Sequence, residues 1–201
     1  MSPREAYFES VGEHINVLSD QNVLQSWTPT VSNSRTLTLQ FELVRKTTDA
    51  TLGLYNAGEI TPALYPLFPP VAAAGWFAVA SFRNAPTRLV VSVFDANASP
   101  QGSQVYPGAD RNRFGLYIQG PGGTFFTQDG RNPGGDPQAL VFAGTGLNSG
   151  NWWLAWEDLP LNAGADWDFD DEVMFMESAS CFTDCTPTRS STWGQVKAYY
   201  R

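Results

Sequence analysis

Between Asn151 and Glu177 the chain reads NWWLAWEDLPLNAGADWDFDDEVMFME, and this stretch limits the fold more than any other. It holds Glu157, Asp158, Asp166, Asp168, Asp170, Asp171, Glu172 and Glu177 without one Lys, Arg or His. Carboxylates packed this closely repel one another unless a cation lies among them. A merely solubilising acidic face rarely alternates Asp with Trp and Phe as this one does. In an extended segment alternate residues project to one side, about 6.6 Å apart along the chain. Asp166, Asp168 and Asp170 at that spacing can converge on one hard cation with oxygen distances of roughly 2.3–2.6 Å, the Ca²⁺ range. Trp167 and Phe169 are then expected to face the core with Val173 and Phe175. Strict alternation turns Asp171 inward as well, so a turn or bulge is expected at Asp170-Asp171 to bring it back to the ion. Glu157 and Asp158 reach the same place from the end of the preceding strand.

The rest of the chain reads as short strands cut by turn residues. In RTLTLQFELV (35–44) Leu37, Leu39, Phe41 and Leu43 alternate with polar partners, the pattern of a half-buried strand. TLGLY (51–55), GWFAVASF (75–82), TRLVVSVFD (87–95), FGLYI (114–118), TFFT (124–127), QALVF (138–142), NWWLAWE (151–157) and EVMFME (172–177) follow. Gly120-Pro121-Gly122-Gly123 is a hairpin-type turn, and Asn84-Ala85-Pro86 is another connection. Residues 56–74, with Pro62, Pro66, Pro69 and Pro70, are expected as a long surface loop, and the polar segment 96–113 as a second. Nine or so strands without a convincing long helix predict an all-β fold, a β-sandwich of jelly-roll-like form with long turn-rich loops. The expected divisions are an N-terminal arm or short helix packing on the domain (1–34), a calcium-binding β-sandwich (35–177) and a C-terminal extension (178–201), a docked tail or an assembly or sorting tag.

A chain of 201 residues suits one domain with a proper core. A net charge of −8, with no Lys or Arg from Asn132 to Thr188, argues against nucleic acid and anionic membrane as partners. No apolar run reaches the roughly 18–20 residues of a membrane-spanning helix, and no signal peptide is visible after Met1. Cys181 and Cys185, without a neighbouring His, suit a small disulfide loop or two thiols better than zinc. His14, the sole histidine, has no nucleophile partner in sight, and there is no phosphate-binding Gly-rich loop.

Three explanations compete for the acids: Ca²⁺ binding, a solvated loop without a ligand, and a carboxylate pair doing glycosidase chemistry. The last needs two carboxyls about 5–10 Å apart with their pKa values driven apart, which a crowd of adjacent acids serves badly. An EF-hand also fails. With Asp166 as its first position the sixth is Asp171 where Gly is required, and the flanks are not helical. Asp129, Asn132 and Asp136 offer a second ion site or simply turn residues. Trp153, with Trp152 and Trp156 on the other face, is a candidate sugar-stacking surface.

AWEDLP and DWDFDDEVMF together resemble the (F/W)-E-D-L…D-x-D-(F/Y)-(N/D)-D signature of the domain of unknown function 4114 family. FGLYIQGPGGTFFTQDGRNPGGDPQALVF (114–142) and TLGLYNA (51–57) are similar to its upstream strands and loop, so the resemblance covers roughly residues 35–177. Its members are β-rich domains of secreted or surface bacterial proteins, including large adhesins. The resemblance implies calcium binding without catalysis, and it maps Glu157, Asp158, Asp166, Asp168, Asp170 and Asp171 onto the signature acids. Asp170 stands where many relatives have Asn, and TWGQVKAYYR stands where a Pro-Glu-Pro sorting tail is usual. The expectation is a non-enzymatic, secreted or cell-surface structural or adhesive domain. Self-association into a surface layer, matrix or filament is one expected partnership and a glycan the other.

Overall fold

The computed structural model describes residues 8–17, 19–30, 36–84, 87–161 and 163–182. The first strands are β1 (Gln21–Asn22), β2 (Trp27–Pro29), β3 (Thr36–Lys46), β4 (Thr51–Asn56), β5 (Leu64–Phe68), β6 (Phe77–Asn84) and β7 (Thr87–Phe94). They are followed by β8 (Pro100–Pro107), β9 (Phe114–Gly120), β10 (Gly123–Phe126), β11 (Ala139–Ala143), β12 (Trp152–Trp156), β13 (Glu172–Glu177) and β14 (Ala179–Cys181). Every pairing is antiparallel. One sheet of eight strands runs β1-β11-β12-β13-β3-β6-β7-β8. The other runs β14-β2-β9-β4-β5, with β10 added beside β9.

The two sheets pack as a β-sandwich because the alternating strands bury one face. On β3, Leu39, Phe41 and Leu43 are buried while Thr38, Gln40 and Glu42 are exposed. These three meet Leu52, Leu54, Phe114, Leu116 and Ile118 of the smaller sheet in the main core. β9 and β10 close as the tight hairpin that the Gly-Pro-Gly-Gly turn predicts, with Gly120 opposite Gly123. Two strands occupy stretches expected to be loops. β5 lies within 56–74 and carries Pro66, which an edge strand tolerates because its missing N–H need not pair. β8 lies within 96–113 and has no buried residue, so it shows no alternation; it forms an edge of the larger sheet.

The larger sheet is also buried on its outer face around β11–β13. Leu140, Phe142, Trp153, Val173 and Phe175 point there, and Phe8, Ile15 and Val17 from the start of the chain cover them together with Leu161 and Phe169. Phe8 meets Phe142 and Trp153 edge-on, at centroid distances of 5.6 and 5.5 Å. Glu13, fully buried, pins this segment. It accepts hydrogen bonds from the backbone N–H and hydroxyl of Thr145, from Asn148 Nδ2 and from Trp153 Nε1, at 2.6–2.8 Å. Burial pushes its carboxyl up, but the hydrogen bonds from Thr145, Trp153 and Asn148 outweigh that and hold it below its ordinary value. Trp153 is therefore not the exposed aromatic of the sequence reading: it is 4% exposed, and Trp152 and Trp156 are buried too.

At the other end, β14 pairs with β2, and no described cysteine is free: Cys181 is disulfide-bonded. Cys185 and residues 183–201, the bulk of the expected C-terminal extension, lie outside the described residues, as do residues 1–7, 18 and 31–35 of the N-terminal arm. None of the described helices is long and apolar enough to cross a membrane.

Candidate metal centre

The acidic loop leaves the sheet at the end of β12 and returns at the start of β13. Gln138, 1% exposed, fixes its departure. The Gln138 side-chain amide donates to the carbonyls of Glu157 and Leu159, at 3.0 and 2.8 Å, and the Gln138 backbone carbonyl accepts the N–H of Glu157 at 3.1 Å. The return is fixed from β3 and the turn after it. The N–H and the hydroxyl of Thr47 both donate to the Asp171 carbonyl, at 2.8 and 3.0 Å. The β9–β10 turn forms a third wall. Gly122 lies so close that a Cβ there would stand 2.3 Å from the Asp158 carbonyl oxygen, which is why that position holds no side chain.

Between these anchors the chain is not the extended ladder expected from the Asp-x-Asp-x-Asp spacing. Trp167 and Phe169 take left-handed conformations, with φ of 66° and 51°. Bulky residues rarely do so, at a cost of about 1–2 kcal/mol each. The break expected at Asp170-Asp171 is replaced by two kinks earlier in the loop. Asp166 Oδ1 accepts the N–H of Asp168 at 3.3 Å, and Asp168 Oδ1 accepts the N–H of Asp170 at 3.0 Å. The aromatic partition expected from the spacing nonetheless holds: Phe169 is buried and Trp167 half-buried, in one cluster with Val173 and Phe175.

Five of the six acids singled out in the sequence come together in two groups that share Glu157. One is Glu157, Asp158 and Asp171; the other is Glu157, Asp166 and Asp168. Within each, one carboxylate oxygen per residue lies within 4.8 Å of the others. The Asp158 N–H donates to Asp171 Oδ2 at 3.0 Å, which holds the first group in place. Asp170 belongs to neither group. Its carboxylate pairs with Arg45 Nη1 of β3 at 2.8 Å.

The electrostatics centre on Glu157. It is 1% exposed, and its Oε2 meets no hydrogen-bond donor. Burial first, then the Asp171, Asp166 and Asp168 carboxylates, push its carboxyl far above the usual range. Asp158 and Asp168 are raised as well, each chiefly by burial. Glu172, fully buried and opposite Lys46 in the β3–β13 register, is pushed up to about 7 by burial and by Asp158 and Asp171, against the pull of Thr48 and Lys46. Its Oε2 also lacks a donor. Sequence spacing did not single out Glu172 as a site residue, nor Gln138, Thr47 and Gly122 as supports. They come from strands and turns distant in sequence, and no local pattern marks them.

The second loop considered for an ion resolves differently. Asn132 spends its side chain on the backbone of Phe126 and the carbonyl of Asp136, at 2.8–3.0 Å. Asp129 accepts from Gln25 Nε2 at 2.7 Å and is pushed up to about 6 by burial and by Asp136. These are the bonds of a pinned turn. Comparison with family models, with curated proteins and with solved structures returns no match for this chain.

Proposed function

We propose that this chain is a Ca²⁺-stabilised, non-catalytic structural or adhesive domain of an extracellular or cell-surface assembly, akin to the domain of unknown function 4114 proteins that it resembles. One observation carries the reading. Glu157 is a buried carboxylate with an oxygen that meets no donor, and four more acids converge on it. Leaving such a group charged and uncompensated costs several kcal/mol. An oxygen-only donor set without His or Cys suits a hard cation, and Ca²⁺, which tolerates flexible coordination, asks less of a loop than Mg²⁺, which demands a near-ideal octahedron. The crowding of five acids weighs against glycosidase chemistry, which needs one acid and one base set apart by their surroundings.

At about 1 mM Ca²⁺ and a dissociation constant near 10⁻⁴ M, the range of extracellular modules, binding adds roughly 1–2 kcal/mol of stability. For a domain of this size that is a rise of about 2–8 °C in melting temperature relative to chelator. The rise is expected with Ca²⁺ and lost in Glu157→Gln; superimposable melts with and without Ca²⁺ would remove the reading.

Glycan binding, if present, has a better location than Trp153. A cleft of about 440 Å³ opens beside β5, β7 and β8, with Trp76 and Tyr106 in its wall, Gln101 and Gln104 beside them, and no charged side chain. Trp76→Ala should then abolish any glycan-array signal, whereas a signal unchanged in that variant points away from the cleft.

A further inference from the structure

We infer that the acidic loop is built for two divalent cations bridged by Glu157, one buried and one near the surface. The inference rests on the calcium reading above and goes further by giving the site's stoichiometry and its order of release. A glutamate carboxylate has two oxygens, and each can serve a different cation while the other stays engaged. Glu157 is the member common to both acid groups; Asp158 and Asp171 adjoin the strands at the two ends of the loop, whereas Asp166 and Asp168 lie in its middle. Asp158 and Asp171, on the strand side, are buried and half-buried; Asp166 and Asp168, on the loop side, are exposed. Glu157 Oε2, buried and without a donor, is the independent sign that a ligand belongs at the junction.

Charge supports the same count. The two groups comprise five carboxylates, and one divalent cation leaves most of that charge unopposed. Among the described residues, the two cations of β3 next to the cluster are already engaged. Arg45 is paired with Asp170, while Lys46 faces Glu172 and donates to the Pro70 carbonyl. A second ion brings the cluster close to neutrality. Asp170, neutralised by Arg45, is the acid of the signature that neither ion uses.

The two positions differ in access, so their ions should differ in exchange. The outer ion, held by exposed Asp166 and Asp168, leaves first; the inner one, held against the sheet by Asp158 and Asp171, leaves when the loop opens. Native mass spectrometry of the chelator-stripped chain titrated with Ca²⁺ tests this directly. Two ions are expected on the unaltered chain, one on Asp158→Asn and one on Asp168→Asn. Release into excess chelator is expected in two phases, of which Asp168→Asn keeps the slow one. Saturation at a single ion, lost in both variants alike, would overturn the bridged pair while leaving the calcium reading intact. An unaltered chain that takes no Ca²⁺ at all would overturn both. The stoichiometry and the two release phases are read on the unaltered chain, so neither depends on a variant folding.

Discussion

At Glu157 two demands conflict. The position directly follows β12, a strand whose every residue is buried, and is itself buried, yet its side chain is an acid. Without a cation the cheapest way to keep it buried is to keep it protonated. The same logic applies to Glu172, whose carboxyl at about 7 lies above its ordinary 4.5. A carboxyl raised on folding means that the folded chain binds more protons than the unfolded one over that interval. Its contribution to stability is therefore complete below pH 4.5 and is lost as the pH rises through 7. In chelator the melting temperature should fall between pH 5 and pH 8; in saturating Ca²⁺, which takes the place of the proton on Glu157 and offsets Asp158 and Asp171 beside Glu172, the fall should flatten. Thermal melts at several pH values with and without Ca²⁺ check it, and parallel curves would contradict it. Glu157→Gln should raise stability in chelator at pH 8 by about 1–3 kcal/mol, because it removes a buried charge. The same substitution should abolish the Ca²⁺ response, so the two melts together separate a ligand from a packing residue.

The elements around the loop act as its frame, and each can be tested without touching a ligand. Gly122 belongs to the β9–β10 turn, and any Cβ there collides with the backbone of Asp158. Gly122→Ala should weaken Ca²⁺ binding severalfold by displacing the loop, with every carboxylate still present; calorimetric titration reads the change. Glu13→Ala strips the acceptor from Thr145, Asn148 and Trp153 and should cost about 2–4 kcal/mol in denaturant unfolding.

How far these elements are legible in the sequence depends on whether their residues signal locally. β3, β9, β12 and β13 do, through alternation or apolar runs. β5 and β8 do not, since an edge strand can carry Pro66 or lack a buried side chain altogether. The acids could be grouped from spacing, but Asp170 could not be set apart from its neighbours. Its partner, Arg45, is brought beside it by the β3–β13 pairing, and that register is a property of the sheet. Trp153 is hidden from the sequence for a related reason. Its parity points away from the sandwich core, and nothing near it in sequence shows that Phe8 and Glu13 will cover it.

For the whole molecule, the outer face of the larger sheet is a second hydrophobic core with two covers. Residues 8–17 supply one and the acidic loop supplies the other, and Phe8, Ile15, Val17, Leu161 and Phe169 share a single cluster. Loss of the cation should loosen the loop and, through Phe169, the segment at the opposite end of the chain. Hydrogen exchange should then accelerate in chelator at both 163–171 and 8–17, while the β6–β7 pair stays protected. Acceleration confined to the loop would show the two covers to be independent.

That shared cover turns an ionic condition into a question of lifetime. Proteases act on segments that open, at rates set by how often they open. On the calcium reading proposed above, a chain that keeps its ions would keep both covers shut and offer few places to cut. In a calcium-poor medium residues 8–17 would then become an accessible substrate, and trimming there would strip the lid from Trp153. The mineral content of its surroundings would thus govern how long each molecule lasts, with the bulk of the sandwich still folded when the first cut is made.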